Sequence, residues 1–252
     1  MKYGKRIGVI QLKKLLISDY DNTLYTDKET LLDNVKKIKK FREDGNIFVI
    51  STSRGYISIK KEIDEYNIPY DYVCVNNGAG ILDNKGNLIY VNHMNLEDLE
   101  KIENQLEDLE NVEITRYYLD DIKTEDRHEK DIDDNKIKSL DGILGYKIKG
   151  NIEKLQSLGE KFEKIVPNFE LLIKDDKKLF LNNPNNSKEK AVEELINLEN
   201  LNNVKICTVG DDDVDFNMIK QYDGYRMFNS SKLLEENIRK ITLSVGDLIS
   251  KL

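Results

Sequence analysis

Asp19 and Asp21 stand two residues apart in the run Asp19-Tyr20-Asp21-Asn22-Thr23, directly after the apolar stretch Leu15–Ile17. Alternate residues of an extended segment face the same side, so both carboxylates can converge on one point. Two carboxylates at a strand end can hold a hard cation such as Mg2+. One can instead act as a nucleophile and the other as a general acid and base. Taken alone, the same five residues fit a polar strand end or a helix cap equally well.

Three further clusters follow apolar runs or open helical patterns. Ser51-Thr52-Ser53-Arg54 comes after Ile47–Ile50. Hydroxyls and backbone N–H groups at a strand-to-helix junction bind phosphate oxygens, and a plain Ser/Thr N-cap is the competing role. Ser187-Lys188 opens a helical pattern after the turn-rich Asn182–Asn186. A lysine there can neutralise a phosphate, although by itself it is indistinguishable from a surface lysine. Gly210-Asp211-Asp212-Asp213-Val214-Asp215 comes after the buried-type run Val204–Val209. Carboxylates this dense repel one another unless a cation is present, which favours a metal site over a solvated acidic turn.

The elements that must position these groups are legible from periodicity. Leu31, Leu32, Val35, Ile38 and Phe41 mark a helix over 30–44 that Gly45 can end. Continuous apolar runs at 47–50 and 72–75, with a helical pattern over 56–66 between them, predict a β-α-β-α-β order and a parallel sheet. The last quarter repeats the grammar: a helix over 188–198, a strand over 204–209, a helix near 214–221, a short strand near 224–228 and a helix near 231–238. The middle differs. A hairpin over 82–91 leads to a helix marked by Leu96, Leu99, Ile102, Leu106 and Leu109, then strands over 112–119 and 143–149. A second helix follows, with Ile152, Leu155, Leu158, Phe162 and Ile165, and then a hairpin over 169–182. The expected fold class is α/β, a Rossmann-like parallel-sheet core with an inserted α+β cap. The expected boundaries are 1–82 and 184–252 for the discontinuous core and 83–183 for the cap. The charge-dense residues 120–139 read as a solvated loop. His93 and His128 read as surface residues, and Arg116, Lys147, Lys149 and Lys174 as solvated strand-face residues. All four clusters fall at strand ends or helix starts, and ligands of open parallel sheets bind beyond the carboxyl ends of the strands.

Composition narrows the classes. Of 252 residues, 39 are Lys or Arg and 47 are Asp or Glu, a net charge of −8. This balance argues against a nucleic-acid partner held by phosphate contacts. A small anionic substrate stays compatible, because a local site can oppose the global sign. The length suffices to bury a core without staples. Cys74 and Cys207 sit in apolar runs and read as buried thiols rather than a disulfide. No run approaches the roughly 18 apolar residues of a membrane span. A soluble cytoplasmic protein with a loosely held basic N-terminal extension is expected.

Together, Asp19-Tyr20-Asp21-Asn22-Thr23, Thr52-Ser53-Arg54, Ser187-Lys188 and Gly210-Asp211-Asp212-Asp213-Val214-Asp215 resemble the four motifs of the haloacid dehalogenase superfamily, and specifically its Cof-type phosphatases. Asn77-Gly78-Ala79 resembles that family's segment after the third strand, and Ser244–Ile249 resembles its usual ending. The resemblance spans nearly the whole chain. It implies a C2-type cap and a Mg2+-dependent phosphatase acting on a small phosphorylated metabolite such as a sugar phosphate. It assigns Asp19 as nucleophile and Asp21 as general acid and base. The metal would rest on Asp19, the backbone carbonyl of Asp21, Asp211 and Asp215. Thr52, Ser53, Arg54, Asn77 and Lys188 would bind phosphate or substrate.

Three departures bear on activity. Asp212 and Val214 replace the glycine and asparagine of the usual fourth motif, Ser53 replaces the glycine of the second, and Glu189 stands where a glycine commonly follows the lysine. Loss of an asparagine hydrogen bond to phosphate costs about 1.5–3 kcal/mol, about one to two powers of ten in rate. These departures make a low-turnover binding or regulatory protein one alternative; a phosphomutase, whose chemistry related capped enzymes perform, is the other.

Overall fold

The computed structural model describes residues 12–119, 122–126, 140 and 142–252. In chain order its strands and helices are β1 (Lys14–Ser18), α1 (Lys28–Glu43), β2 (Ile47–Ser51), α2 (Tyr56–Tyr66), β3 (Tyr72–Val75), β4 (Gly80–Asp83), β5 (Leu88–Val91), α3 (Leu96–Leu106), β6 (Glu113–Tyr117), β7 (Ile122–Asp126), β8 (Gly145–Lys149), α4 (Ile152–Ile165), β9 (Glu170–Lys174), β10 (Lys178–Asn182), α5 (Lys188–Leu198), β11 (Lys205–Gly210), α6 (Phe216–Gln221), β12 (Tyr225–Met227), α7 (Lys232–Asn237), β13 (Ile241–Thr242) and α8 (Val245–Lys251). The larger sheet has the strand order β13-β12-β11-β1-β2-β3-β4-β5, and the smaller one β7-β6-β8-β10-β9. The fold is α/β, as its alternating strands and helices predict.

The chain divides into two compact units. The first comprises the described residues up to Val49, Pro69–Asp71 and Leu195–Leu252; the second comprises Ile50–Ile68 and Tyr72–Glu194.

In the first unit, β1 pairs in parallel with β11 from Lys14↔Lys205 to Ser18↔Val209, and β11-β12 and β12-β13 are also parallel. Leu15, Leu16 and Ile17 are fully buried, as a parallel strand covered on both faces requires. Asp27 caps α1 by accepting a hydrogen bond from Thr30 N at 2.9 Å. Leu31, Ile38 and Phe41 form the buried stripe of α1. Asn34, on the same helix, is also fully buried. Its Nδ2 donates to Leu24 O and its Oδ1 accepts from Gly246 N at 2.7 Å, which ties α1 to the first turn of α8. Strand β13 and helix α8 carry too few periodic positions to be predicted from the sequence.

In the second unit, β3, β4 and β5 form an antiparallel meander. The five-stranded sheet carries α3 and α4 on one face, and their shared core includes Leu99, Ile102, Ile114, Tyr146, Ile148, Leu155, Phe162, Leu179 and Leu181. Asn95 and Asn151 cap α3 and α4 through their side-chain oxygens. Two expectations are corrected here. Residues 120–139 are not wholly loop, because Ile122–Asp126 pairs antiparallel with β6 as an edge strand. Its charges hid it, since an edge strand needs no continuous apolar run; the rest of that stretch, including His128, lies outside the described residues. Arg116 is not a solvated strand-face residue. It is 3% exposed, and its Nε and Nη2 donate to Glu103 on α3 at 2.7 and 2.6 Å. His93 is exposed and Lys147, Lys149 and Lys174 are at most partly covered.

Both cysteines are free and buried, Cys74 on β3 and Cys207 on β11. Burial pushes their thiols up to about 12 and about 11 respectively, and for Cys74 the nearby Lys188 partly opposes this.

Candidate active site

The first unit gathers three carboxylates. Asp19 directly follows β1, and its N–H donates to Val209 O at 2.9 Å, so the first motif is stapled to the end of β11. The chain then turns back on itself. Leu24 N donates to Asp19 O, Tyr25 N donates to Tyr20 O, and Asn22 at the tip has a φ of +56°. Asp211 leaves the end of β11, and Asp215 ends a short 3-10 turn at Asp213–Asp215. Carboxylate oxygens of Asp19, Asp211 and Asp215 lie within 4.8 Å of one another, and all three residues are buried.

The surrounding groups orient the acids. Thr23 Oγ1 donates to Asp211 Oδ1 at 2.6 Å. The backbone N–H groups of Asp211 and Asp212 donate to Asp215 Oδ2 at 3.0 and 3.1 Å. Burial raises the pKa of Asp211, and the Asp215 charge adds to this against the lowering effect of the Thr23 and Asp19 hydrogen bonds. A buried group of three carboxylates whose oxygens lie this close fits a divalent cation in ligand type. Asp212 and Asp213 do not join the group. Asp212 caps the 3-10 turn through Asp213 N, and Asp213 accepts from Ser231 Oγ at 2.5 Å.

Gly210 is a requirement of this packing. A Cβ built there would lie 2.4 Å from Asp215 Cγ. Gly210→Ala is expected to displace Asp215 and weaken divalent-cation affinity by ~10–100-fold, the usual effect of disturbing groups that orient ligands. Calorimetric titration of both proteins with Mg2+ measures it, and an unchanged affinity would remove Asp215 from the ligand set.

The second unit holds the other predicted residues. Thr52 is fully buried after β2; its N–H donates to Cys74 O, its carbonyl accepts from Asn77 N, and its hydroxyl accepts from Arg54 N at 3.1 Å. Ser53 is exposed, and Arg54 pairs with Glu62 on α2 at 2.9 Å. Lys188, at the first position of α5, is 2% exposed. Asn76 and Asn77 both adopt left-handed backbone, and Asn77 Oδ1, Asn76 Nδ2 and Ser51 Oγ are buried without a hydrogen-bond partner among the described residues. Unmade hydrogen bonds of this kind at a loop mark a place where water or ligand is taken up.

Asp21 is half-buried, and its carboxylate is not part of the acidic group. Thr23 and Gly210 escaped the sequence reading as site residues. Their signal was present, a threonine four residues after the first aspartate and a glycine directly before the acidic turn.

The family profile of haloacid dehalogenase-like hydrolases matches residues 16–247. The chain belongs to that family. Among solved structures, a haloacid dehalogenase-like chain of this architecture is similar to a Thermotoga maritima protein, with a TM-score of 0.80 and 18% identity over 96% of this chain and 98% of that one. It is also similar to a sugar phosphatase of haloacid dehalogenase subclass IIB, with a TM-score of 0.69 and 16% identity over 95% and 97% of the two chains. At such identities the likeness concerns the fold. An uncharacterized protein of Mycoplasma capricolum subsp. capricolum is 39% identical over 88 residues, 31% of this chain and 32% of that protein. The match thus spans about a third of that relative's length. Among the described residues no helix is long and apolar enough to cross a membrane.

Proposed function

We propose that this haloacid dehalogenase-like hydrolase is a Mg2+-dependent phosphatase acting on a small phosphorylated metabolite, of the sugar phosphate class. The observation that carries the reading is the buried group Asp19, Asp211 and Asp215 at the ends of two adjacent parallel strands. The subclass IIB sugar phosphatase among the structural neighbours supports the substrate class. The inserted cap is proposed to be 83–183 and the core 1–82 and 184–252; the hydrophobic core between Met94 and Leu181 falls wholly inside the cap range.

In this reading Asp19, the backbone carbonyl of Asp21, Asp211 and Asp215 hold the cation, which when bound supplies positive charge beside the nucleophile and the phosphate. Asp19 attacks phosphorus and the ester P–O bond breaks, leaving an aspartyl-phosphate. Asp21 gives its proton to the departing alkoxide. Water then attacks the same phosphorus, Asp21 takes its proton, and the bond to Asp19 breaks to release phosphate. Thr52 and Lys188 hold the non-bridging oxygens, where negative charge must be stabilised throughout. Ser53, Arg54 and Asn77 are assigned to substrate or phosphate contact.

Phosphate release from p-nitrophenyl phosphate and a panel of phosphorylated metabolites, with and without Mg2+, tests the proposal. Release that EDTA abolishes and Mg2+ restores is the expected result; a protein that turns over nothing on the panel sinks it. Val214 favours a second reading as a low-turnover binding protein, because its side chain is 41% exposed and has no hydrogen-bonding group. Tight binding of a phosphorylated ligand without release decides for that reading.

A further inference from the structure

Three backbone stretches of the second unit meet at a cluster of asparagines. Ala79 O, in the turn between β3 and β4, accepts from Asn92 N at 2.8 Å. Asn92, just after β5, donates from Nδ2 to Asn186 Oδ1 at 2.7 Å, and Asn186 Nδ2 donates back to Asn92 O at 3.2 Å. Asn186 N donates to Asn183 O at 2.9 Å, and Asn183 Nδ2 reaches His93 O at 3.4 Å. Asn186 is 8% exposed, and both polar atoms of its amide serve one residue 94 positions away. The next residue, Ser187, is confined as well. Gly78 has a φ of +91°, and a Cβ there would lie 2.3 Å from Ser187 O. Lys188 follows immediately, buried.

We propose that the reciprocal Asn92–Asn186 pair is a positioning device for Lys188. A lysine side chain turns about four carbon–carbon bonds, so the placement of its ammonium depends in part on how firmly the backbone at its root is held. The helix holds that root only at its edge, since Lys188 is the first residue of α5 and the first-turn N–H groups lack intrahelical partners; Ser187 O accepts from Ala191 N at 3.0 Å. The asparagine pair and the close approach of Gly78 add constraint from outside, beside the helix's own cap bond from Lys190 N to the Ser187 hydroxyl at 3.4 Å. The pair also spans the two chain crossings that lead into and out of the smaller sheet, so the lysine is anchored to both. The value of this for catalysis rests on the proposed role of Lys188 toward phosphate, and the pair itself touches no substrate.

The test uses the full chain and the variants Asn92→Ala, Asn186→Ala and Asn186→Asp. Asn151→Ala, which removes the α4 cap bond to Lys154 N, is the control for loss of one local hydrogen bond elsewhere. Lysines are acetylated with acetic anhydride and Lys188 modification is followed by peptide mass analysis. Slow modification is expected in the parent and in Asn151→Ala. It should be ~5-fold or more faster in the two alanine variants, with Asn186→Asp, which keeps the acceptor for Asn92 Nδ2, in between. On any substrate the parent turns over, kcat/KM should fall ~10-fold in the alanine variants, mostly in kcat, and stay unchanged in Asn151→Ala. Unchanged Lys188 modification, or equal acceleration at every lysine, overturns the proposal. Should either alanine variant fail to fold, Asn186→Asp decides alone. A parent that releases no phosphate refutes the phosphatase reading, while the acetylation result still decides the positioning.

Discussion

Asp19→Asn is expected to abolish phosphate release, by ~10^3-fold or more, while leaving the fold intact, because it removes the attacking oxygen anion and little else. The side chain keeps its volume, and the backbone bond from Asp19 N to Val209 O does not involve it. Stability without divalent cation should hold or rise. Carboxylate oxygens of Asp19, Asp211 and Asp215 lie within 4.8 Å of one another, and removing one of the three charges lessens the like-charge repulsion among them. The increase in melting temperature that Mg2+ gives the parent should shrink in the variant, since a ligand that binds the native state stabilises in proportion to its affinity. Thermal melts with and without Mg2+, run beside the phosphate assay, separate the outcomes. Retained turnover dismisses Asp19 as nucleophile. Lost turnover with an unchanged Mg2+ response keeps the nucleophile and dismisses Asp19 as a metal ligand.

The second large effect concerns stability. Arg116→Met is expected to cost about 3–5 kcal/mol, the usual result of removing one partner from a buried ion pair. Arg116 on β6 donates twice to Glu103 on α3 and once to Glu125 on β7 at 3.1 Å; Tyr146 on β8 donates to the same Glu103 at 2.8 Å, and its ring lies 5.9 Å from the guanidinium. Removing the arginine leaves two largely covered carboxylates, 14% and 15% exposed, without it. Burial opposes the charge on Arg116, yet the Glu103 bonds hold its pKa above the ordinary value, and burial together with Glu103 drives the Tyr146 hydroxyl up. Denaturant unfolding of parent and variant measures the loss, and a difference under 1 kcal/mol means that the cluster is replaceable packing. Glu103→Gln should cost less, about 1.5–3 kcal/mol, because the shape and one acceptor remain and Glu125 still faces the arginine.

Asp19, Asp211 and Asp215 were legible because strand ends in a parallel sheet are local events: an apolar run stops and a polar cluster begins. The same logic located β2, β3, α2, α4 and α5 to within a residue or so. Arg116 was misplaced for the opposite reason. A charged residue on a short strand reads as solvated unless its partners are known, and Glu103 is 13 residues away on another element. Strand β7 was missed because its charges mask the alternation expected of a strand, and β13 and α8 because they are too short to show a period.

The sequence by itself determined the order of the elements, the four motifs and the acids that could bind a cation, since each depends on neighbours within a few positions. The family resemblance had already separated Asp211 and Asp215 from Asp212 and Asp213, which acidity alone cannot rank. Only the tertiary structure showed how the chosen acids come together. The 3-10 turn bends Asp212 and Asp213 toward backbone and Ser231, while the close approach of Gly210 and the hydroxyl of Thr23 hold Asp215 and Asp211 beside Asp19.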